Sequence, residues 1–197
     1  MTSPRILTLA LAFAPWSLAC DLAVADLFRD RAVRAYTEGR LAEAASELRV
    51  AVRTCPGEAR LHFMLGNALY RSGRIADSAD SYKAAVALEP SHFEAQMCLG
   101  FALFESGDMH AAVQQWTAAM RLDTGSAFAR AALAVGLWTM GDEDNAVIQS
   151  DVATRLEARY RDPAALAVDV RWKPTARRIW VDVRRQSEKQ TAGERSQ

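Results

Sequence analysis

The side chains best suited to metal binding or acid–base catalysis are few and far apart in this sequence. The three histidines, His62, His92 and His110, are separated by 30 and 18 residues. None has a second histidine, a cysteine or a carboxylate at ligand spacing on the same helical face, as a metal site within one helix would require. We therefore expect all three to be solvated surface residues, and we predict no metal and no other cofactor.

Motifs typical of nucleophilic or nucleotide chemistry do not occur either. The sequence contains no phosphate-binding P-loop, no GxSxG, no CxxC and no HExxH. Serine, histidine and aspartate are present, but no arrangement of them suggests a catalytic triad. Basic and acidic residues number 24 each, so no overall charge favours nucleic acid or a membrane surface as partner. We predict that the protein is not an enzyme and does not bind nucleic acid.

The elements that position these side chains repeat every 34 residues, which indicates stacked helix–turn–helix units. Four glycines have this spacing: Gly39, Gly73, Gly107 and Gly141. So do four small residues: Ala32, Gly66, Gly100 and Ala134. In the central unit, Gly73 ends the first helix because glycine adopts the left-handed conformation cheaply. Gly66 is expected to face Ser78 and Ala85, so that the two helices approach closely. One such hairpin cannot bury its own apolar face, so the units must stack into a solenoid.

This pattern resembles the tetratricopeptide repeat (TPR), and the resemblance extends from about Ala25 to Ala158. The resemblance implies an all-α chain, a right-handed α-solenoid of about four TPR-like helix–turn–helix repeats with a C-terminal capping helix. The predicted solenoid spans residues 20–158. Its units lie at about 25–58, 59–92, 93–126 and 127–158.

After the last unit the period is lost, and residues 159–186 are interpreted as a capping segment. Ile179, Trp180 and Val183 form an apolar stripe, which we expect to cover the degenerate fourth unit. Residues 187–197 are polar and are predicted to be disordered. The other face of the capping helix carries arginines that are expected either in solvent or on a partner or anionic surface. They are Arg177, Arg178, Arg184 and Arg185.

Residues 1–19 have the features of a signal peptide. Arg5 precedes an apolar run over residues 6–14, which is too short to span a bilayer. Ser17 and Ala19 are small residues at the two positions that signal peptidase reads. We therefore predict an exported protein in the periplasm or cell envelope. The alternative is a cytoplasmic protein that retains residues 6–14 as an apolar helix on the first edge of the solenoid.

Cys20 has two mutually exclusive interpretations. A lipoprotein signal resembles Leu-Ala-Gly-Cys, and here Leu18 is one place late; lipidation of Cys20 would attach the protein to a membrane. Alternatively, Cys20 and Cys55 lie at the same end of the first hairpin, and export would place them in an oxidising compartment. Their disulfide would close a loop of about 36 residues, worth about 3–4 kcal/mol. Cys98 is expected to be a small buried apolar residue.

The resemblance also implies that the first helices of the units line a concave groove that binds a protein or peptide. The inward positions are rich in aromatic residues, which supply rigid contact area at little entropic cost. Asn67 is expected to hydrogen-bond the backbone of a bound peptide. The predicted binding residues are Tyr36, Phe63, Asn67, Tyr70, Met97, Phe101, Phe104, Phe128 and Trp138. The alternative is that some of these rings, above all Tyr36 and its equivalents Tyr70, Phe104 and Trp138, pack the repeats together.

The carboxylate clamp of chaperone-cofactor repeats is not expected, because its lysines and asparagines are missing. Its positions are occupied here by Arg29, Val33, Met64, Glu94 and Cys98. We therefore predict a scaffold or adaptor that holds a partner's peptide or helix. The resemblance suggests a role in assembling an envelope complex of the pilus or secretion type. The alternatives are a cytoplasmic chaperone for secreted proteins and an accessory subunit of an enzyme complex, and the oligomeric state stays open.

Overall fold

The computed structural model describes residues 20–162, Leu166 and residues 171–194; the predicted signal peptide lies outside this part of the chain. Eight α-helices form four hairpins. They are α1 (Leu22–Thr37) with α2 (Leu41–Thr54), α3 (Ala59–Arg71) with α4 (Ile75–Leu88), α5 (Phe93–Ser106) with α6 (Met109–Leu122), and α7 (Ala127–Thr139) with α8 (Glu143–Leu156). Each helix packs against the next one in the chain. The predicted all-α solenoid is confirmed.

The turn inside each hairpin is built around the repeated glycine. Gly39, Gly73, Gly107 and Gly141 have φ angles of +77° to +89°, in the left-handed region that glycine enters without steric cost. The amide after each glycine donates a hydrogen bond to the carbonyl five residues earlier; for example, Arg74 N donates to Leu69 O at 2.9 Å. This bond satisfies a carbonyl that the helix end would otherwise leave without a partner.

The close approach of the two helices in a hairpin depends on a glycine facing an aromatic ring. A Cβ atom placed on Gly66 would lie 2.5 Å from Tyr82, and one placed on Gly100 would overlap the ring of Trp116. The sequence analysis assigned Ser78 and Ala85 as the partners of Gly66. That assignment was wrong, because the longer side chain of Tyr82 reaches the glycine.

The turns between units share a second repeated contact. His62 Nε2 lies 2.9 Å from Pro56 O, Gln96 Nε2 donates to Pro90 O, and Arg130 Nη2 donates to Thr124 O at 3.0 Å. The three polar residues are 34 residues apart, and so are their three acceptors. These side chains therefore tie the start of each first helix to the preceding turn. His62 is one of them rather than a simply solvated residue.

His92 also has a structural position that the sequence analysis did not predict. It is the N-cap residue of α5, and its Nδ1 accepts a hydrogen bond from Ala95 N at 3.4 Å. Its ring lies 4.8 Å from the ring of Phe63. Because these contacts hold the imidazole against the protein, His92 is not a freely solvated side chain.

The C-terminal helix α9 (Pro174–Glu194) covers the last unit by packing against α7 and α8. Trp180 and Val183 are fully buried, and Trp180 Nε1 donates to Tyr160 O at 3.2 Å. Tyr160 belongs to a short 3₁₀ helix, Ala158–Arg161, that links α8 to the cap. The predicted capping helix is confirmed.

Two expectations for this helix were wrong. Arg184 is not in solvent: its Nη1 lies 2.7 Å from Asp151 Oδ1 and 3.3 Å from Ser150 Oγ, because the small Ser150 leaves room beside α8. Residues 187–197 are not all disordered, since α9 continues to Glu194. Ser187 is buried and donates to Asp151, and Thr191 Oγ1 donates to Ser187 O at 3.0 Å.

A disulfide joins Cys20 to Cys55, with their Cα atoms 4.6 Å apart. It connects the residue before the N-cap of α1 to the end of α2, as the hairpin geometry predicted. Cys55 is fully buried, whereas Cys20 is exposed. Lipidation would require the thiol of Cys20 that the disulfide uses. Cys98 is buried and forms no disulfide, as expected.

Candidate partner-binding groove

We use the name inner groove for the surface formed by the first helices of the units, α1, α3, α5 and α7. Two neighbouring cavities open on it. The larger has a volume of about 270 Å³. Its walls are formed by Tyr36, Phe63, Asn67, Tyr70, Arg71, Tyr82, Glu94, Cys98, Phe101 and Arg171. The smaller, about 170 Å³, is lined by Ala32, Val33, Tyr36, Leu48, Met64 and Asn67. Because both contain Tyr36 and Asn67, they form one depression across units 1 to 3.

Asn67 sits between the two cavities and is oriented by Tyr82. Tyr82 OH donates a hydrogen bond to Asn67 Oδ1 at 2.8 Å. Burial is the main cause that raises the pKa of the Tyr82 hydroxyl far above its ordinary value, so this group stays a donor. Within the described residues, Asn67 Nδ2 has no hydrogen-bond partner. The amide nitrogen of Asn67 is therefore available to a peptide carbonyl.

Charged groups lie around the aromatic walls of the larger cavity. The Arg71 guanidinium lies 4.6 Å above the ring of Tyr36, a cation–π contact. Glu94 is exposed, and its Oε2 lies 3.3 Å from His92 Nδ1. A ligand in this cavity would therefore meet apolar ring faces on its sides and both signs of charge at its rim.

Five of the nine residues predicted to bind a partner line the larger cavity. Tyr36, Phe63 and Asn67 are partly exposed there, whereas Tyr70 and Phe101 are almost completely buried. The structure therefore brings the first three together on an accessible surface. Tyr70 and Phe101 form the deeper walls.

The other four predicted residues lie outside both cavities. Met97 and Phe104 are buried in the core, and the ring of Phe104 lies 5.9 Å from that of Trp116. Both are in the packing positions that the alternative interpretation described, because α5 is covered on all sides. Trp138 is partly exposed on α7. Phe128 lies beneath the C-terminal segment of the chain.

This segment, Arg171, Trp172 and Lys173, precedes α9 and lies in the inner groove over units 3 and 4. Trp172 is only 2% exposed. Its ring makes edge-to-face contacts with Phe101 and Phe128 at centroid distances of 5.8 and 6.3 Å. The sequence analysis did not predict this arrangement. The three residues follow the last repeat, so no periodicity links them to the groove.

Residues that the sequence analysis left out of the site also contribute to the open part of the groove. Tyr82 belongs to a second helix, and its ring passes Gly66 to reach Asn67. Val33 and Met64 line the smaller cavity. The small residue Gly66 was the only sequence signal for Tyr82, since a glycine on one helix makes room for a large side chain on its partner.

Features of other kinds of site were sought in the same part of the chain. Among the described residues, no group of three or more histidine, cysteine, aspartate or glutamate side chains could hold a metal ion. No helix in the described ranges is both long enough and apolar enough to cross a membrane.

The fold and groove define a solenoid of helical hairpins with a binding surface on its first helices. Residues 63–134 match the family model of the tetratricopeptide repeat, and the chain is a tetratricopeptide repeat protein. Residues 20–89 match a second model, the bacterial transcriptional activator domain. The two matches overlap over residues 63–89, within the second repeat. No curated protein sequence matches the chain significantly.

Solved structures with similar architecture include several TPR proteins. MamA from Desulfovibrio magneticus RS-1 has 19% identity and a TM-score of 0.66, over 84% of this chain and 96% of that chain. YrrB, described as a TPR protein with an unusual peptide-binding site, has 15% identity and a TM-score of 0.65, over 89% and 94%. The first TPR of Spaghetti (RPAP3), bound to the HSP90 peptide SRMEEVD, has 19% identity and a TM-score of 0.59, over 61% and 96%. At these identities the likeness concerns the fold.

Proposed function

We propose that this protein is a non-enzymatic adaptor that holds a peptide or helix of a protein partner in the open part of its inner groove, across units 1 to 3. The observation that carries the proposal is the pair of adjoining cavities that share Tyr36 and Asn67. An accessible apolar depression with a few placed polar groups is the usual form of a ligand site.

The chemistry of the depression indicates how a peptide would bind. The smaller cavity has the size and lining to take one apolar side chain, with Val33 and Met64 on its walls. Asn67 Nδ2 would donate to a backbone carbonyl of the ligand. Arg71 and Glu94, at the rim, would select the charges beside the apolar side chain. The peptide-binding descriptions of YrrB and the RPAP3 repeat support a ligand of this class.

The test is an affinity pull-down from native-host extract, with partners identified by mass spectrometry. Val33→Glu puts a charge into the smaller cavity, and Arg71→Glu reverses the charge at the rim. Both residues are exposed, so we expect the variants to fold and to lose the partner. The matched control is Lys83→Glu on α4, whose side chain is 57% exposed and does not line either cavity.

Phe101→Ala is not a useful variant for this purpose, because Phe101 is 1% exposed. Removing a fully buried phenylalanine costs about 3–5 kcal/mol, and loss of binding would then reflect unfolding. If Val33→Glu and Arg71→Glu recover the same partners as the wild type, the proposed binding site is wrong.

We also propose that the protein is exported and that its partner belongs to a cell-envelope assembly of the pilus or secretion type. The Cys20–Cys55 disulfide supports export, because such bonds persist mainly in oxidising compartments. Cell fractionation and the N-terminal residue of the isolated protein test this. A periplasmic chain that starts at Cys20 is the expected result. A cytoplasmic chain that keeps residues 1–19 would instead favour a chaperone for secreted proteins.

A further inference from the structure

We infer that Arg171, Trp172 and Lys173 are an internal ligand of the inner groove over units 3 and 4. A partner segment with an aromatic side chain between two basic residues would bind the same subsites once these three residues are displaced. The inference rests on the proposed function and extends it, because it adds a second, self-occupied half to the binding surface.

The central subsite accepts an aromatic ring. Trp172 lies against Phe101 and Phe128 with interplanar angles of 66° to both rings. Phe101 and Phe128 themselves are stacked, with centroids 5.6 Å apart. Edge-to-face contacts of this kind stabilise an aromatic pair beyond the area that it buries. The two phenylalanines therefore form a platform for a third ring.

The flanking subsites accept cations. The Arg171 guanidinium lies 4.3 Å above the ring of Phe128. Lys173 Nζ lies 4.7 Å above the ring of Tyr70 and 3.2 Å from Glu105 Oε2. Ring faces attract cations, and a carboxylate beside one strengthens the preference. A basic residue on either side of the aromatic residue thus matches the groove.

The groove residues in these contacts belong to first helices, the surface that the proposed function assigns to a partner. Tyr70 lies on α3, Phe101 and Glu105 on α5, and Phe128 on α7. Three of these four were predicted from the sequence to bind a peptide. The segment therefore contacts the solenoid where a partner peptide would.

The cap has attachments that do not involve this segment. Trp180 bonds to Tyr160, and Arg184 bonds to Asp151, so α9 would remain docked after the three residues left the groove. Trp172 also contacts Trp180, at a centroid distance of 6.1 Å, and that contact would be lost. The Lys173–Glu105 pair is partly exposed, and exposed pairs of this kind contribute little to stability.

Self-occupancy lowers the apparent affinity for a partner by the fraction of molecules whose groove is open. Minor conformations of folded proteins are commonly populated at about 0.1–10%. Emptying the subsites should therefore strengthen binding at least about tenfold.

The experiment uses a fluorescein-labelled peptide with the sequence of residues 168–175, VDVRWKPT, and measures its binding to the purified protein by fluorescence anisotropy. Trp172→Ala empties the central subsite, and the double change Arg171→Glu/Lys173→Glu releases the flanking cations without creating a cavity. We expect both to bind the peptide at least about tenfold more tightly than the wild type. Arg178→Glu, an exposed charge reversal on α9, is the control and should leave binding unchanged. Adding Phe128→Ala to Trp172→Ala should abolish the gain.

Circular dichroism decides how a negative result is interpreted. Variants that fold like the wild type and bind the peptide no better would overturn the inference. Unfolding of both variants would also overturn it, because Trp172 and its neighbours would then be an essential part of the core. Neither result affects the proposed function, whose test depends on Val33 and Arg71 in the other half of the groove.

Discussion

At the residue scale, the hairpins are held together by glycines placed against large rings. Gly66 faces Tyr82, and Gly100 faces Trp116. Trp116 is fully buried and donates from Nε1 to Met97 O at 3.3 Å, so its ring cannot move aside without losing a hydrogen bond. The missing Cβ of the glycine therefore allows the aromatic side chain to be large.

We predict that Gly100→Ala destabilises the protein although alanine is the better helix former. Overpacking a core costs about 1–3 kcal/mol, which outweighs the gain of up to about 1 kcal/mol from replacing glycine in a helix. Gly57→Ala is the matched control, since a Cβ there would meet no atom within 4 Å and Gly57 has no positive φ. Urea unfolding measures both. Equal stability of the two variants would contradict the role given to Gly100.

At the scale of elements, each helix is fixed by contacts that the repeat supplies, except for the cap. The repeated bonds of His62, Gln96 and Arg130 to the preceding turns follow the 34-residue period. The contact between α9 and α8 does not, because it joins a unique helix to a unit whose aromatic residue is replaced by Ser150. Arg184 fills the resulting space and pairs with Asp151.

We predict that Arg184→Gln weakens the attachment of the cap. The Arg184 side chain is 13% exposed, and its Nη1 bonds to Asp151 and Ser187. Hydrogen bonds to charged groups contribute about 1.5–3 kcal/mol, and partial exposure of Asp151 reduces the expected loss to about 1–2 kcal/mol. The neighbour Arg185→Gln is the control, since its side chain is 70% exposed and its loss should cost less than about 0.5 kcal/mol. Thermal unfolding compares them, and a larger loss for Arg185→Gln would be the contrary result.

At the scale of the whole molecule, the inner groove has two differently occupied halves. Across units 1 to 3 it is open around Asn67, and over units 3 and 4 it is filled by Trp172. The disulfide lies at the other end of the solenoid, where Cys20 is tied to Cys55. The open half of the groove therefore lies between a cross-linked first unit and a capped last unit.

We predict that Cys20→Ser lowers the stability of the protein by about 3–4 kcal/mol, because the bond closes a 35-residue separation in the unfolded chain. Cys20 is exposed, so this change leaves no cavity, unlike a change at Cys55. Wild type treated with reductant should unfold at the same denaturant concentration as Cys20→Ser, and reductant should not affect the variant. A variant as stable as the oxidised wild type would contradict the prediction.

Local features made the repeat architecture predictable from the sequence alone. The turn glycines, the 34-residue period and the apolar stripe of the cap each depend on residues close together in the chain or at a fixed spacing. The Cys20–Cys55 pair followed from the same geometry, because the two ends of an antiparallel hairpin meet. The predicted aromatic column was only partly informative, since the pattern that marks a groove residue such as Tyr36 also marks a packing residue such as Phe104.

Only the tertiary structure decided which part of the groove is open. Arg171 lies beside Cys98, 73 residues away in the chain, and no period or motif connects the two positions. Arg184 reaches Asp151 for a similar reason, because the space next to Ser150 exists only once α9 has docked. Repeated contacts can be inferred from spacing, whereas contacts between the repeats and a unique C-terminal segment depend on shape complementarity that arises when the chain folds.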